Sequence, residues 1–174
     1  MRVRTTAIAA TTCALVLLPA AGAMAGTGPA PAPHNSVRAQ STAPSEAGNP
    51  LSAKAQAADV CTDAYQIGST GYIDRGGVHI ASVKQFYSPK CKENYGYLWI
   101  WQDFRNKVKS YDVSTGVYSY PRDAVLGKVT VNQTHGQEFW SKPAATIKEC
   151  TSGIGTLRAA GDPLTRTGTS SKRC

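Results

Sequence analysis

Four cysteines spread over the second two-thirds of the chain, Cys61, Cys91, Cys150 and Cys174, constrain its fold more than any other feature. An even set in an exported chain reads as two disulfides, with three possible connectivities. The pairing expected is Cys61–Cys91 with Cys150–Cys174. Each bond would close a loop of about 25–31 residues, worth about 3.5 kcal/mol in the chain-entropy treatment. The second bond also has a reason to exist. Arg158 to Arg173 is rich in Gly, Thr, Ser and basic residues and would fray untied. A free Cys174 thiol for intermolecular pairing is the other reading of that position. No two of the four have CxxC spacing, so no metal site is expected.

The premise of export comes from the N-terminus. Arg2 and Arg4 precede an uncharged run through Leu15-Val16-Leu17-Leu18, and Ala23-Met24-Ala25 offers a small-x-small cleavage site. Residues 1–25 are therefore expected to be a signal peptide, with Cys13 leaving inside it. The apolar run is too short to span a bilayer, so the mature protein is expected to be secreted and extracellular, without a transmembrane segment. From residue 26 to 58 the chain is rich in Pro, Ala, Ser, Gly and Thr, with no aromatic residue and only Val37 and Leu51 as larger aliphatics. That composition offers little surface against ordering costs of about 1–2 kcal/mol per residue, so a disordered spacer is expected there, or a pro-segment processed near Ala55-Gln56-Ala57. The folded domain is then 59–174. It carries 15 Lys and Arg against 10 Asp and Glu, a mildly basic +5.

Within that domain the patterning is of short strands. Tyr72-Ile73 and Val78 to Tyr87 flank Asp74-Arg75-Gly76-Gly77, which predicts a hairpin. Pro89 interrupts the second strand. In Tyr95 to Gln102 the rings of Tyr95, Tyr97, Trp99 and Trp101 alternate with Leu98 and Ile100, one set on each face. Further strands are expected at 107–113, 117–120, 127–133 and 138–140. Ser114-Thr115-Gly116, Pro121-Arg122-Asp123 and His135-Gly136 serve as turns between them, and residues 144–150 are the single helical candidate. The expectation is an all-β fold, a small antiparallel barrel or sandwich stapled by two disulfides.

Cys61-Thr62-Asp63-Ala64-Tyr65, followed by Tyr87-Ser88-Pro89-Lys90-Cys91 and an aromatic at Tyr95, resembles a small secreted bacterial family of unknown function that includes the YjfA-like proteins. Trp140 to Cys150 with Gly153 looks like the family's late cysteine-bearing stretch. Tyr95 stands where the family has Trp, and Lys84-Gln85-Phe86 replaces its Glu-Leu-Arg. The resemblance implies an exported, stapled β domain and carries over no catalytic residue.

The sequence contains no GxSxG, HExxH, P-loop or GxGxxG motif. A nucleophile–base pair would need His79 or His135, with Asp103, Asp112 or Asp123 to orient it. A glycosidase pair could be drawn from those aspartates and Glu138, though the spatial separation that defines such a pair is not given by sequence. No catalytic residue, metal or cofactor is expected. The aromatic strand is the one feature with binding potential, since rings stack on sugars, bases or protein side chains. Trp99 and Trp101 are expected to be needed in the core. Tyr95 and Tyr97, near Lys90 and Lys92, are the expected binding residues. Nucleic acid is not an expected partner, because +5 over such a domain is ordinary and Arg105, Lys107 and Lys109 read as solvated edges. The function expected is non-catalytic binding of a cell-envelope polymer or an extracellular protein, with inhibition of an extracellular hydrolase (protease or amylase) as the alternative.

Overall fold

The structure is a computed structural model and describes residues 41–174; the expected signal peptide and the spacer residues 26–40 lie outside the described residues. It is all-β. The elements run α1 (Ala53–Ala57), β1 (Tyr65–Arg75), β2 (Val78–Ser88), β3 (Glu93–Ile100), α2 (Gln102–Lys107), β4 (Tyr111–Ser119), β5 (Ala124–Thr134), β6 (Glu138–Trp140), β7 (Thr151–Ala159) and β8 (Arg166–Thr169). Two antiparallel four-stranded sheets form, in the orders β1-β2-β3-β6 and β5-β4-β7-β8. Among the described residues no helix is long and apolar enough to cross a membrane.

The β1–β2 hairpin turns on Gly76-Gly77, whose φ values of 60° and 78° are those a type I′ turn requires. β2 stops at Ser88, immediately before Pro89. Ile73, Val83, Leu98 and Ile100 from the first sheet pack between the sheets on Tyr111, Val113 and Leu157 from the second. Over part of this interface backbone meets backbone. A Cβ on Gly96 of β3 would lie 2.1 Å from the Gly116 carbonyl oxygen of β4, so only glycine permits the approach.

That contact explains one departure from the sequence reading. Ser114-Thr115-Gly116, expected to be a turn, lies inside β4 and is paired on both sides, Ser114 with Thr130 and with Thr156. Residues 107–113 do not form one strand. α2 occupies 102–107, with Asp103 in its first turn and Arg105 and Lys107 in its last, charges placed to suit the helix dipole. The expected helix at 144–150 is absent; Ala144 instead bridges to Asn94 of β3. The Gly/Thr/Arg tail forms β7 and β8, and β7 pairs with β4 along its whole length.

Both disulfides join the expected partners, Cys61–Cys91 and Cys150–Cys174. The second fastens the C-terminus beside the start of β7, where Thr151 and Arg173 exchange backbone hydrogen bonds of 2.7 and 2.8 Å.

Residues 41–58 correct the spacer expectation, because they are folded. Ser52 caps α1 through its hydroxyl, which accepts the Ala55 N–H at 3.1 Å and donates to Glu138 Oε1 at 2.8 Å. Ala55, Ala58, Val60 and Ala64 pack on Phe86, Tyr95, Tyr97 and Trp140 to make a second core on the outer face of the first sheet. Small side chains suffice here because the bulk is supplied by the rings beneath them.

Candidate binding face

Strand alternation sends the side chains of Ser82, Lys84 and Phe86 on β2, and Tyr95, Tyr97 and Trp99 on β3, to the outer face of the first sheet. Register completes the rows. Tyr72, Ser82 and Trp99 stand side by side, as do Lys84, Tyr97 and Trp140, and then Phe86 and Tyr95. One strip therefore carries six of the domain's fourteen Trp, Tyr and Phe residues. Its two ends have different fates.

At the Phe86 end the segment 48–64 covers the rings. Tyr95 and Tyr97 are fully buried, which overturns their assignment as exposed binding residues. Tyr97 lies 4.5 Å from Trp140 between ring centroids, and its hydroxyl donates to the Ser45 carbonyl at 2.5 Å. Burial first, and then the nearby Glu138 and Glu46 carboxylates, push its ionisation far above the usual tyrosine range. Burial likewise raises Tyr95. Lys90 and Lys92 are exposed in the turn between β2 and β3, where the Lys90 N–H donates to Asp63. The expected set Tyr95, Tyr97, Lys90 and Lys92 is thus not assembled into one surface.

The other end is open. Tyr72 and His79 stack in parallel with centroids 4.2 Å apart, and Trp101 stands edge-on to them at 6.1 and 5.8 Å. Tyr72 is 43% exposed, His79 is exposed, and Trp99 and Trp101 are half-buried. Trp101 belongs to no strand. It is the residue before α2, turned so that its indole N–H donates to Ser82 Oγ at 2.7 Å. The Asp74 carboxylate pairs with His79 Nδ1 and holds that ring in the stack. Beside the rings a cleft of about 360 Å³ runs between Arg75, Val78 and His79 on one side and Trp101, Asp103 and Lys107 on the other. Val78 leaves 64% of its surface in solvent. The Arg75 guanidinium is held by Asp162 at 2.6 Å, whereas Asp103 and Lys107 have no ion-pair partner among the described residues.

The remaining polar candidates are engaged structurally. His135 Nε2 lies 3.0 Å from the Arg105 carbonyl oxygen, and Asp112 accepts from Arg158 and from the Gln133 N–H. The Gln133 N–H and then Arg158 hold the Asp112 carboxyl below its usual range. Tyr118 donates to Asp123. Glu138, almost fully buried, accepts from Ser52 and from the Trp140 indole at 3.0 Å. Cys61, Asp63 and Cys91 are the one grouping of potential metal ligands among the described residues, and their sulfurs are bonded to each other, so no thiolate is offered.

Alternation along 95–101 pointed to this face, yet its accessible part was missed. Tyr72 and His79 come from the neighbouring hairpin, and only register brings them beside Trp101. Comparison with protein-family models, curated proteins and solved structures gave no match.

Proposed function

We propose that this chain is a secreted, non-catalytic binding domain whose open aromatic end stacks on the sugar rings of a cell-envelope polymer. The observation that carries this reading is the Tyr72–His79–Trp101 cluster, two exposed rings stacked on each other with a half-buried indole edge-on to them, on a sheet whose β2–β3 turn is tied by the Cys61–Cys91 disulfide. Rings held rigid before contact lose little entropy on binding. Sugar rings present flat C–H faces to such surfaces, and Asp103 and Lys107, without ion-pair partners among the described residues, can take hydroxyls at the rim. The resemblance to a secreted bacterial family agrees with the leader pattern at residues 1–25 in suggesting export.

The test is retention of the full chain on isolated cell-wall glycan and on soluble neutral glucan, followed by tryptophan fluorescence. Trp101→Ala and Tyr72→Ala are expected to weaken binding about 30-fold each, the loss typical of an aromatic hot spot worth about 2 kcal/mol. A Lys90→Ala/Lys92→Ala double variant should bind as wild type. Retention that is unchanged by Trp101→Ala refutes the assignment of the site.

A further inference from the structure

Between the open rings and the buried ones lies a row of donors that the fold alone does not explain. Lys84 is 7% exposed, and its ammonium carries three N–H groups. Its partner is a single backbone carbonyl, Glu46 O at 2.5 Å, and no carboxylate lies within ion-pair distance of it among the described residues. Burial holds its pKa below the usual lysine range. A buried cation is costly, and the carboxylate that partly offsets it, that of Glu46, lies beyond ion-pair distance and on the loop rather than on the sheet; a Met or Leu would fill the same space without that cost. Beside it, the Tyr97 hydroxyl donates to Ser45 O and the Ser82 hydroxyl donates to Glu46 Oε1 at 3.1 Å. Three donors on the sheet therefore meet three acceptors at the tip of one loop.

That loop is self-contained. Asn49 ties it at its base by donating to the carbonyls of Ser41 at 2.6 Å and Ala43 at 2.9 Å, and the Gly48 N–H closes its turn on Ser45 O. Most of its residues are exposed, Glu46 among them, so it is held to the sheet chiefly by those three hydrogen bonds and by Gly48 against Phe86. Segments with so few buried contacts are the ones that open first. Ser82 also accepts the Trp101 indole, so the donor row is continuous with the open rings. Two residues along one strand face, Ser82 and Lys84 stand roughly 7 Å apart.

We infer that the Ser45–Glu46 tip is an in-cis stand-in for ligand, and that Lys84, Tyr97 and Ser82 form a subsite for the carboxylate of an acidic sugar in the polymer stacked at Trp101. This rests on the glycan reading and deepens it to a uronic-acid type of chain. When the loop swings aside, the carboxylate replaces the Glu46 carbonyl as the partner of the Lys84 ammonium and takes the hydroxyl donors of Tyr97 and Ser82. An acidic peptide would satisfy the same three donors, but the adjoining rings favour a saccharide. A ligand that must displace a resident loop binds more weakly by the fraction of time the loop is open.

The experiment measures affinity for sodium polygalacturonate, neutral glucan and poly-L-glutamate at one fixed ionic strength. It compares the full chain, the same chain lacking residues 42–47, and that deletion combined with Lys84→Met; thermal melts confirm that each is folded. Deletion is expected to raise the ratio of polygalacturonate to neutral-glucan affinity about tenfold, as for a loop open about a tenth of the time. Lys84→Met should cancel that gain. An unchanged ratio, a gain that survives Lys84→Met, or an equal gain for poly-L-glutamate each overturns the subsite while leaving glycan binding at the rings intact. Failure of every glycan to bind would instead overturn the glycan reading itself.

Discussion

Replacing Ser52 with Ala tests whether residues 41–58 belong to the folded domain. Ser52 is completely buried and its hydroxyl does two things at once: it caps α1 by accepting the Ala55 N–H and it donates to the buried Glu138 carboxylate. Loss of a serine cap costs about 1 kcal/mol. Loss of a hydrogen bond to a charged group adds about 1.5–3 kcal/mol, because Glu138 keeps only the Trp140 indole of these two donors. The expected destabilisation is therefore about 2.5–4 kcal/mol. Glycine is nearly as good a cap as serine, so Ser52→Gly separates the two effects and should cost about 2–3 kcal/mol. Ser41→Ala, in the exposed base of the loop, is the control and should stay within about 0.5 kcal/mol of wild type. Urea unfolding at constant m-value reads all three. If Ser52→Ala falls within about 0.5 kcal/mol of wild type, the segment is a solvated leader and the second core is misassigned.

Removing the terminal staple as a Cys150→Ala/Cys174→Ala pair, which opens a bond spanning 24 positions, should cost about 3.5 kcal/mol by denaturant titration; a non-reduced tryptic map should show Cys61 linked to Cys91 and never to Cys150. Alkaline pH should destabilise the fold. Tyr97 is raised above its ordinary 10.0 by burial, so its contribution is complete below pH 10 and declines above it, where only the unfolded chain releases the proton. That loss is about 1.4 kcal/mol per pH unit above 10, with Tyr95 and Tyr111 acting in the same direction. Lys84, lowered from 10.5, acts oppositely in the window between its folded value and 10.5, so the fall should steepen above that pH. In urea titrations from pH 9 to 11.5, Tyr97→Phe should show a shallower decline than wild type, and an identical slope would refute the assignment.

The legible part of the fold was whatever local chemistry decides. Gly76-Gly77 specified its turn, Pro89 ended its strand, and alternation from Tyr95 to Ile100 placed the rings and the aliphatics on opposite faces as observed. What alternation cannot say is which end of a face is covered. Tyr95 and Tyr97 were read as open and are fully buried, while Trp99 and Trp101, read as needed in the core, are half-buried with Trp99 against the second core; the cover comes from residues 48–64, distant in sequence and contributing alanines too small to register as core. The tail failed to read as strands for a related reason. Its glycines look like loop residues, yet a Cβ on Gly153 would lie 2.3 Å from the Lys84 carbonyl oxygen. Glycine there marks the close approach of two sheets, which only the assembled fold exposes as a requirement. The Cys61–Cys91 pairing was legible because the loop it closes is local.

The position of that disulfide bears on where the molecule can yield. Cys61 lies within the covering segment, near its end, and Cys91 lies in the β2–β3 turn, so the covalent clamp holds the cover at the Phe86 and Tyr95 end. Asp63 reinforces the same end, accepting from Ser88 Oγ at 2.7 Å and from the Lys90 N–H at 3.0 Å. At the opposite end the cover thins to the 41–49 loop, held by hydrogen bonds from Ser82, Lys84 and Tyr97 to its tip and by Gly48 against Phe86. The loop can therefore lift without disturbing Cys61 or α1, giving up at the second core only the Gly48 contact with Phe86 and the Tyr97 hydrogen bond. Since its tip adjoins Trp101 through Ser82, the part of the cover that opens most easily is also the part beside the exposed rings.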